Sequence, residues 1–101
     1  MTVSILDLHC LNAVCDDYED VESITAEVRK SSHGNVSDID VADCLSELAA
    51  AGMVAAFWFD AGPSRYVPAN LHEVTPERLR AAWFRITPKG HEELDANWVE
   101  H

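Results

Sequence analysis

The sequence predicts one α+β domain, in which three helices are followed by a small antiparallel sheet and a short last helix. In the first half of the chain, apolar residues recur at helical spacing behind Ser-x-x-Asp pairs, which are typical helix starts. The second half holds short aromatic and aliphatic runs separated by Gly and Pro, as expected for strands. Because 101 residues suffice for one hydrophobic core, we treat 1–101 as a single domain.

The composition indicates an acidic cytoplasmic protein. Eighteen Asp and Glu against seven Lys and Arg give a formal net charge of −11, which repels nucleic acids and anionic membranes. Most of this charge lies in residues 1–50, which hold eleven acids and two bases. The three cysteines lack the spacing of a disulfide framework, and no apolar run approaches the roughly 20 residues of a membrane span.

The first helix is expected to begin at Ser4, with Asp7 completing its cap, and to be apolar on two sides. One stripe consists of Ile5, Leu8, Leu11 and Cys15, and a second stripe lies on the opposite flank. Each apolar side of the helix must therefore pack against another part of the protein. Either the core and the C-terminal segment supply both, or one side is a homodimer contact. The candidate dimer face comprises Leu6, Cys10, Ala13, Leu94 and Trp98.

Residues 16–22 carry five carboxylates in seven positions, without the glycine and ligand spacing of a calcium loop. They are interpreted as a solvated turn. A second helix is predicted from about Asp20 to Ser31, because Val21, Ile24 and Val28 recur at helical spacing.

The third helix follows Ser37, which pairs with Asp40 as a cap, and Gly52 is expected to end it in a left-handed conformation. One side of this helix is apolar and should face the core. The opposite side is acidic and comprises Ile39, Asp40, Asp43, Ser46 and Glu47, which we call the acidic helix face.

Three strands are predicted in the second half of the chain. The run Met53–Phe59 is apolar and aromatic, Arg65–Pro68 is a short second strand after a turn, and Trp83–Thr87 is the third. Thr75 and Thr87 are each followed by proline, which predicts a short helix before the third strand and a last helix after it.

The passages VADCLSELAAAGMV and WFRITPKGHEEL resemble the recognition helix and the wing-to-helix segment of the PadR-like and MarR-like bacterial transcription regulators. The resemblance implies a winged helix-turn-helix, in which the third helix and the wing contact DNA. The chain departs from that pattern in the acidic helix face, in an insertion of about residues 60–82 within the wing, and in a short C-terminal helix.

Duplex DNA carries about one negative charge per 1.7 Å of its axis, so an acidic helix opposes its binding. The preferred function is therefore a non-catalytic regulatory or adaptor module that binds a protein partner, for which a basic partner matches the charge. It would bind through the acidic helix face or through the wing aromatic residues Trp58, Tyr66 and Trp83.

Two alternatives stay open. A DNA-binding transcription regulator would use the later basic residues, namely Arg65, Arg78, Arg80, Arg85 and Lys89. An acidic inhibitor would instead mimic nucleic acid with its Asp and Glu surface. Neither a nucleophile motif nor a phosphate loop is found, and the Cys and His residues lack metal-ligand spacing. We expect no enzymatic activity, no cofactor, no metal and no membrane association.

Overall fold

The computed structural model describes residues 3–32, 34–70 and 76–98. Within these ranges the chain is an α+β protein with five helices and four strands. In chain order they are α1 (Ile5–Ala13), β1 (Glu19–Asp20), α2 (Val21–Ser32), α3 (Asp38–Ala50), β2 (Val54–Asp60), β3 (Arg65–Pro68), α4 (Pro76–Leu79), β4 (Trp83–Ile86) and α5 (Pro88–Asn97). None of the helices in the described ranges is long and apolar enough to cross a membrane.

Three helix starts and the end of α3 lie where the local signals predict. Ser4 and Ser37 each cap a helix in a reciprocal capping box, and Thr87 caps α5 with Pro88 as its first residue. Gly52 follows the end of α3 with a φ of +77°, a conformation that glycine adopts without steric strain. These predictions are confirmed. The cap expected at Thr75 lies outside the described residues.

The four strands form one antiparallel sheet in the order β1-β4-β2-β3. The sequence did not predict β1. Glu19 lies opposite Phe84 and Asp20 lies opposite Trp83, so residues 16–22 are not a solvated turn throughout. A strand of two residues has no hydrophobic alternation, and its formation depends on the pairing edge that β4 offers.

The connection between β2 and β4 contains β3 and α4. β3 turns back and pairs with the outer edge of β2, from Phe57 opposite Pro68 to Asp60 opposite Arg65. β3 is therefore an edge strand of the four-stranded sheet, on the side of β2 away from β4.

The core lies between the helices and one face of the sheet. Its fully buried members include Leu11, Ile24, Leu45 and Phe84. Ile5, which the sequence placed in one of the two apolar stripes of the first helix, is 68% exposed, because the side of α1 that faces inward is centred on Cys10, Leu11 and Val14.

The second stripe of α1 consists of Leu6, Cys10 and Ala13, of which Cys10 is buried and the other two are half-buried against the chain's own core. Cys10 is 0% and Leu94 is 7% exposed, and α5 packs against α1. At this contact the Trp98 ring meets the His9 ring edge-on, with 5.3 Å between centroids. The candidate dimer face is therefore wrong for Cys10 and Leu94, whose side chains are buried in the chain's own core.

Candidate functional site: an aromatic face of the sheet

The two faces of the sheet differ in what surrounds them. Side chains alternate between the faces along each strand, and in β2 the buried residues Val54 and Ala56 face the core. Phe57 and Phe59 therefore point to the opposite side, where Phe59 is 47% exposed. In β4 the same alternation buries Phe84 and leaves Trp83 on the outer side with Phe57, its cross-strand neighbour.

Five aromatic rings meet on this outer side. The rings of Tyr18 and Tyr66 stack with 3.8 Å between centroids and an interplanar angle of 8°. Phe57 meets Tyr18 edge-on at 5.0 Å, and Trp83 meets Tyr66 at 5.7 Å. Phe59 is tilted against Tyr66 at 5.2 Å. None of the five belongs to the buried core cluster.

Arg85 completes the group. It is exposed on β4, and its guanidinium carbon lies 5.3 Å from the centre of the Tyr18 ring, within the range of a cation–π contact. We call the set Tyr18, Phe57, Phe59, Tyr66, Trp83 and Arg85 the aromatic sheet face. A contiguous, partly exposed group of rings with an arginine has the composition that is enriched at protein-binding hot spots.

The sequence predicted part of this face and misassigned one member. Tyr66 and Trp83 do lie together beside Arg85, but Trp58 does not join them. Trp58 points to the inner side of β2, where it packs against the core. Its expected place in an exposed aromatic patch is wrong, because residues that alternate with Phe57 and Phe59 must face the other way.

The acidic helix face lies on the exposed side of α3. Asp40, Asp43, Ser46 and Glu47 are all exposed, and Ile39 is 63% exposed. Asp40 has a structural role, since its carboxylate accepts a hydrogen bond from the Ser37 backbone N–H. This face is therefore accessible, but it presents charge with only one large apolar side chain.

The candidate DNA-contacting residues lie on several different elements. Arg65 is at the start of β3, Arg78 is in α4, and Arg80 follows α4. Arg85 lies over Tyr18, and the Lys89 ammonium donates a 2.7 Å hydrogen bond to the Ala51 carbonyl at the end of α3. At least two of the five cations are thus engaged within the chain.

The structure brings together two cysteines that no sequence motif pairs. The Cys44 thiol on α3 donates a 2.9 Å hydrogen bond to the buried Asp7 carboxylate on α1. A hydrogen bond with the Cys10 thiol, followed by burial, raises the pKa of Cys44 far above that of an ordinary thiol. Cys44 therefore stays protonated and is a poor nucleophile at neutral pH. Within the described ranges, no three His, Cys, Asp or Glu side chains are grouped so that they could hold a metal ion.

Comparison with known proteins finds no matching family, no similar curated protein and no similar solved structure. The function must therefore be inferred from the geometry of the chain itself.

Glu19 lies on β1 opposite Phe84, on the side of the sheet that faces α1 and α2, and it is crowded by other acids. Partial burial, followed by the charges of Asp17, Asp20 and Glu27, raises its pKa. Because the pKa of Glu19 is higher in the folded chain than in the unfolded chain, the folded state binds more protons. Stability therefore falls as the pH rises from the ordinary pKa of Glu through the raised pKa of Glu19.

We expect Glu19→Gln to raise the free energy of unfolding at pH 7 by about 0.5 kcal/mol, since the site is largely solvated. Below about pH 3.5 the difference should vanish, because Glu is then neutral in both states. Urea unfolding at the two pH values measures this. Glu22→Gln is the matched control: Glu22 lies in the first turn of α2, where a negative charge is favourable, so its removal should lower stability slightly at pH 7.

Proposed function

We propose that this chain is a non-catalytic winged-helix module that binds a protein partner through the aromatic sheet face. The observation that carries the proposal is the gathering of five aromatic rings and Arg85 on the side of the sheet away from the core. Such rings contribute large contact areas at a small cost in conformational entropy, and for that reason they dominate many protein interfaces.

The winged-helix part of the proposal rests on the order of elements. Three helices precede β2 and β4, and the short strand between α1 and α2 pairs with β4. The reciprocal caps of α1 and α3 and the glycine after α3 fit the same arrangement. The added strand β3 widens the sheet, and with it the area that the aromatic sheet face presents.

The rings contact one another and none of them belongs to the buried core cluster, which favours binding over a purely structural role. If they served only to complete the fold, the helices or the β2–β4 connection would be expected to bury them. Phe59 instead remains 47% exposed, and Tyr18, Phe57, Tyr66 and Trp83 each keep a smaller part of their surface exposed. A partner that covers the rings would remove this apolar area from water, which favours binding by about 25 cal/mol of free energy per Å².

The test compares three tagged forms of the chain in parallel capture from native cytosol: the unmodified chain, a Phe59→Ser/Tyr66→Ser variant and an Asp43→Asn/Glu47→Gln variant of the acidic helix face. We expect a protein that is retained by the unmodified and helix variants and lost with the aromatic variant. Urea unfolding must show that all three forms remain folded. Equal retention by the aromatic variant would overturn the proposal.

Binding to random duplex DNA at low salt, followed by fluorescence anisotropy, tests the regulator alternative. The proposal predicts no binding. Micromolar affinity that falls steeply with added salt would instead support DNA contacts by the dispersed arginines.

A further inference from the structure

We propose that the partner segment that occupies the aromatic sheet face is basic: an extended stretch of protein that carries Lys or Arg side chains. This inference rests on the proposed function and specifies the chemistry of its partner.

The first argument is the charge around the face. Asp16 and Asp17 immediately precede Tyr18 and are exposed, and Asp20 lies opposite Trp83 in the pairing of β1 with β4. We call these three residues the acidic rim. The whole chain carries a formal charge of −11, so the field around the rim attracts cations and repels acidic proteins and nucleic acids.

The second argument is the chemistry of the rings. The π-face of Tyr or Trp attracts an ammonium or guanidinium group placed within about 6 Å of its centre. Arg85 already makes this contact with Tyr18 from within the chain, at 5.3 Å. The face therefore has the chemistry to hold a cation, and Phe59, Tyr66 and Trp83 are partly exposed rings to which a partner's cations could bind.

The third argument is the density of carboxylates in β1 and the residues just before it. Asp16, Asp17, Glu19 and Asp20 fall within five consecutive positions, so their negative charges repel one another. A basic segment would relieve that repulsion. A second copy of this chain would instead bring two rims of like charge together.

The probe is a short, fluorescently labelled, unstructured peptide of alternating arginine and serine, and a peptide with glutamate in place of arginine is its control. Binding is followed by anisotropy at low and at physiological salt. We expect the arginine peptide to bind and the glutamate peptide not to bind.

Two variants, each of which removes two negative charges, locate the binding site. Asp16→Asn/Asp17→Asn removes two charges from the rim, and the amide introduced at position 17 keeps an oxygen for the hydrogen bond that Asp17 accepts from the Tyr18 N–H. Asp43→Asn/Glu47→Gln removes two charges from α3. The rim variant should weaken binding about five-fold, in line with exposed ion pairs, and the α3 variant should change it by less than about two-fold. Equal weakening by both would overturn the proposal, since the attraction would then be general.

Arg85→Ala independently tests whether the partner segment is positively charged. Removing Arg85 frees the Tyr18 ring and removes a positive charge, so binding of the arginine peptide should tighten by about two-fold or more. Weaker binding of the arginine peptide would overturn this inference, since Arg85 would then contribute to the contact instead of competing with the partner's cations.

The two proposals fail in different ways. If captured protein depends on the aromatic sheet face but the arginine peptide does not bind, only the inference about charge is overturned. If capture does not depend on that face, the proposed function itself is overturned. A dimer in sedimentation that Tyr66→Ser dissociates would assign the face to a second copy of the chain and contradict the basic partner.

Discussion

Gly90→Ala is expected to lower the free energy of unfolding by about 2 kcal/mol, and the melting temperature by about 10 °C. A β-carbon at this position would clash with the Met53 carbonyl oxygen and lie 2.8 Å from Ile86 Cγ1. The Met53 carbonyl cannot easily move aside, because it accepts a 3.0 Å hydrogen bond from the Thr87 N–H. The better helix propensity of alanine, worth about 1 kcal/mol, should offset only part of this clash.

Gly62→Ala is the matched control for this substitution. Gly62 lies in the exposed turn between β2 and β3, and a β-carbon there would lie 3.4 Å from Asp60 Oδ1, an ordinary contact. Its effect should stay within about 0.5 kcal/mol. Thermal unfolding followed by circular dichroism measures both variants. An unchanged melting temperature for Gly90→Ala would mean that α5 does not approach Met53 this closely.

The second large effect contrasts the two faces of the sheet. Phe84 is 0% exposed, so Phe84→Ala should lower the free energy of unfolding by about 3–5 kcal/mol. Small domains are stable by only about 5–15 kcal/mol, so this variant should be close to unfolding. Phe59→Ala changes the same residue type on the outer face, where the side chain is 47% exposed, and should cost about 1 kcal/mol or less.

Urea unfolding, monitored by far-UV circular dichroism, gives both values and shows whether the slope with denaturant is unchanged. Similar losses for Phe59→Ala and Phe84→Ala would mean that the outer rings are structural, and this would count against the proposed function. The comparison therefore tests the exposure on which the proposed binding surface depends.

The parts of the fold that could be predicted from the sequence are those fixed by local chemistry. Ser4, Ser37 and Thr87 cap helices because their hydroxyls lie within reach of backbone N–H groups a few residues on, and Gly52 tolerates a positive φ. These relations span only a few residues, so the sequence displays them directly.

The parts that could not be predicted depend on residues distant in the chain. β1 exists because β4 offers it a pairing edge, and Tyr18 reaches the aromatic sheet face through that pairing. Cys10 meets Cys44 only through the crossing of α1 and α3. Trp58 is different, because the alternation of side chains along β2 can be read from the sequence. It places Trp58 on the other face of the sheet from Phe57.

The position of β4 has a consequence for how the chain folds during synthesis. β4 comes last of the four described strands, yet it lies inside the sheet between β1 and β2. Helices α1, α2 and α3 can collapse through nearby contacts, whereas β4 must close two long loops at once. Until Phe84 has left the ribosome, the helices keep an uncovered apolar layer and β2 an unpaired edge. That stage is the one at which chaperones compete with aggregation for the chain.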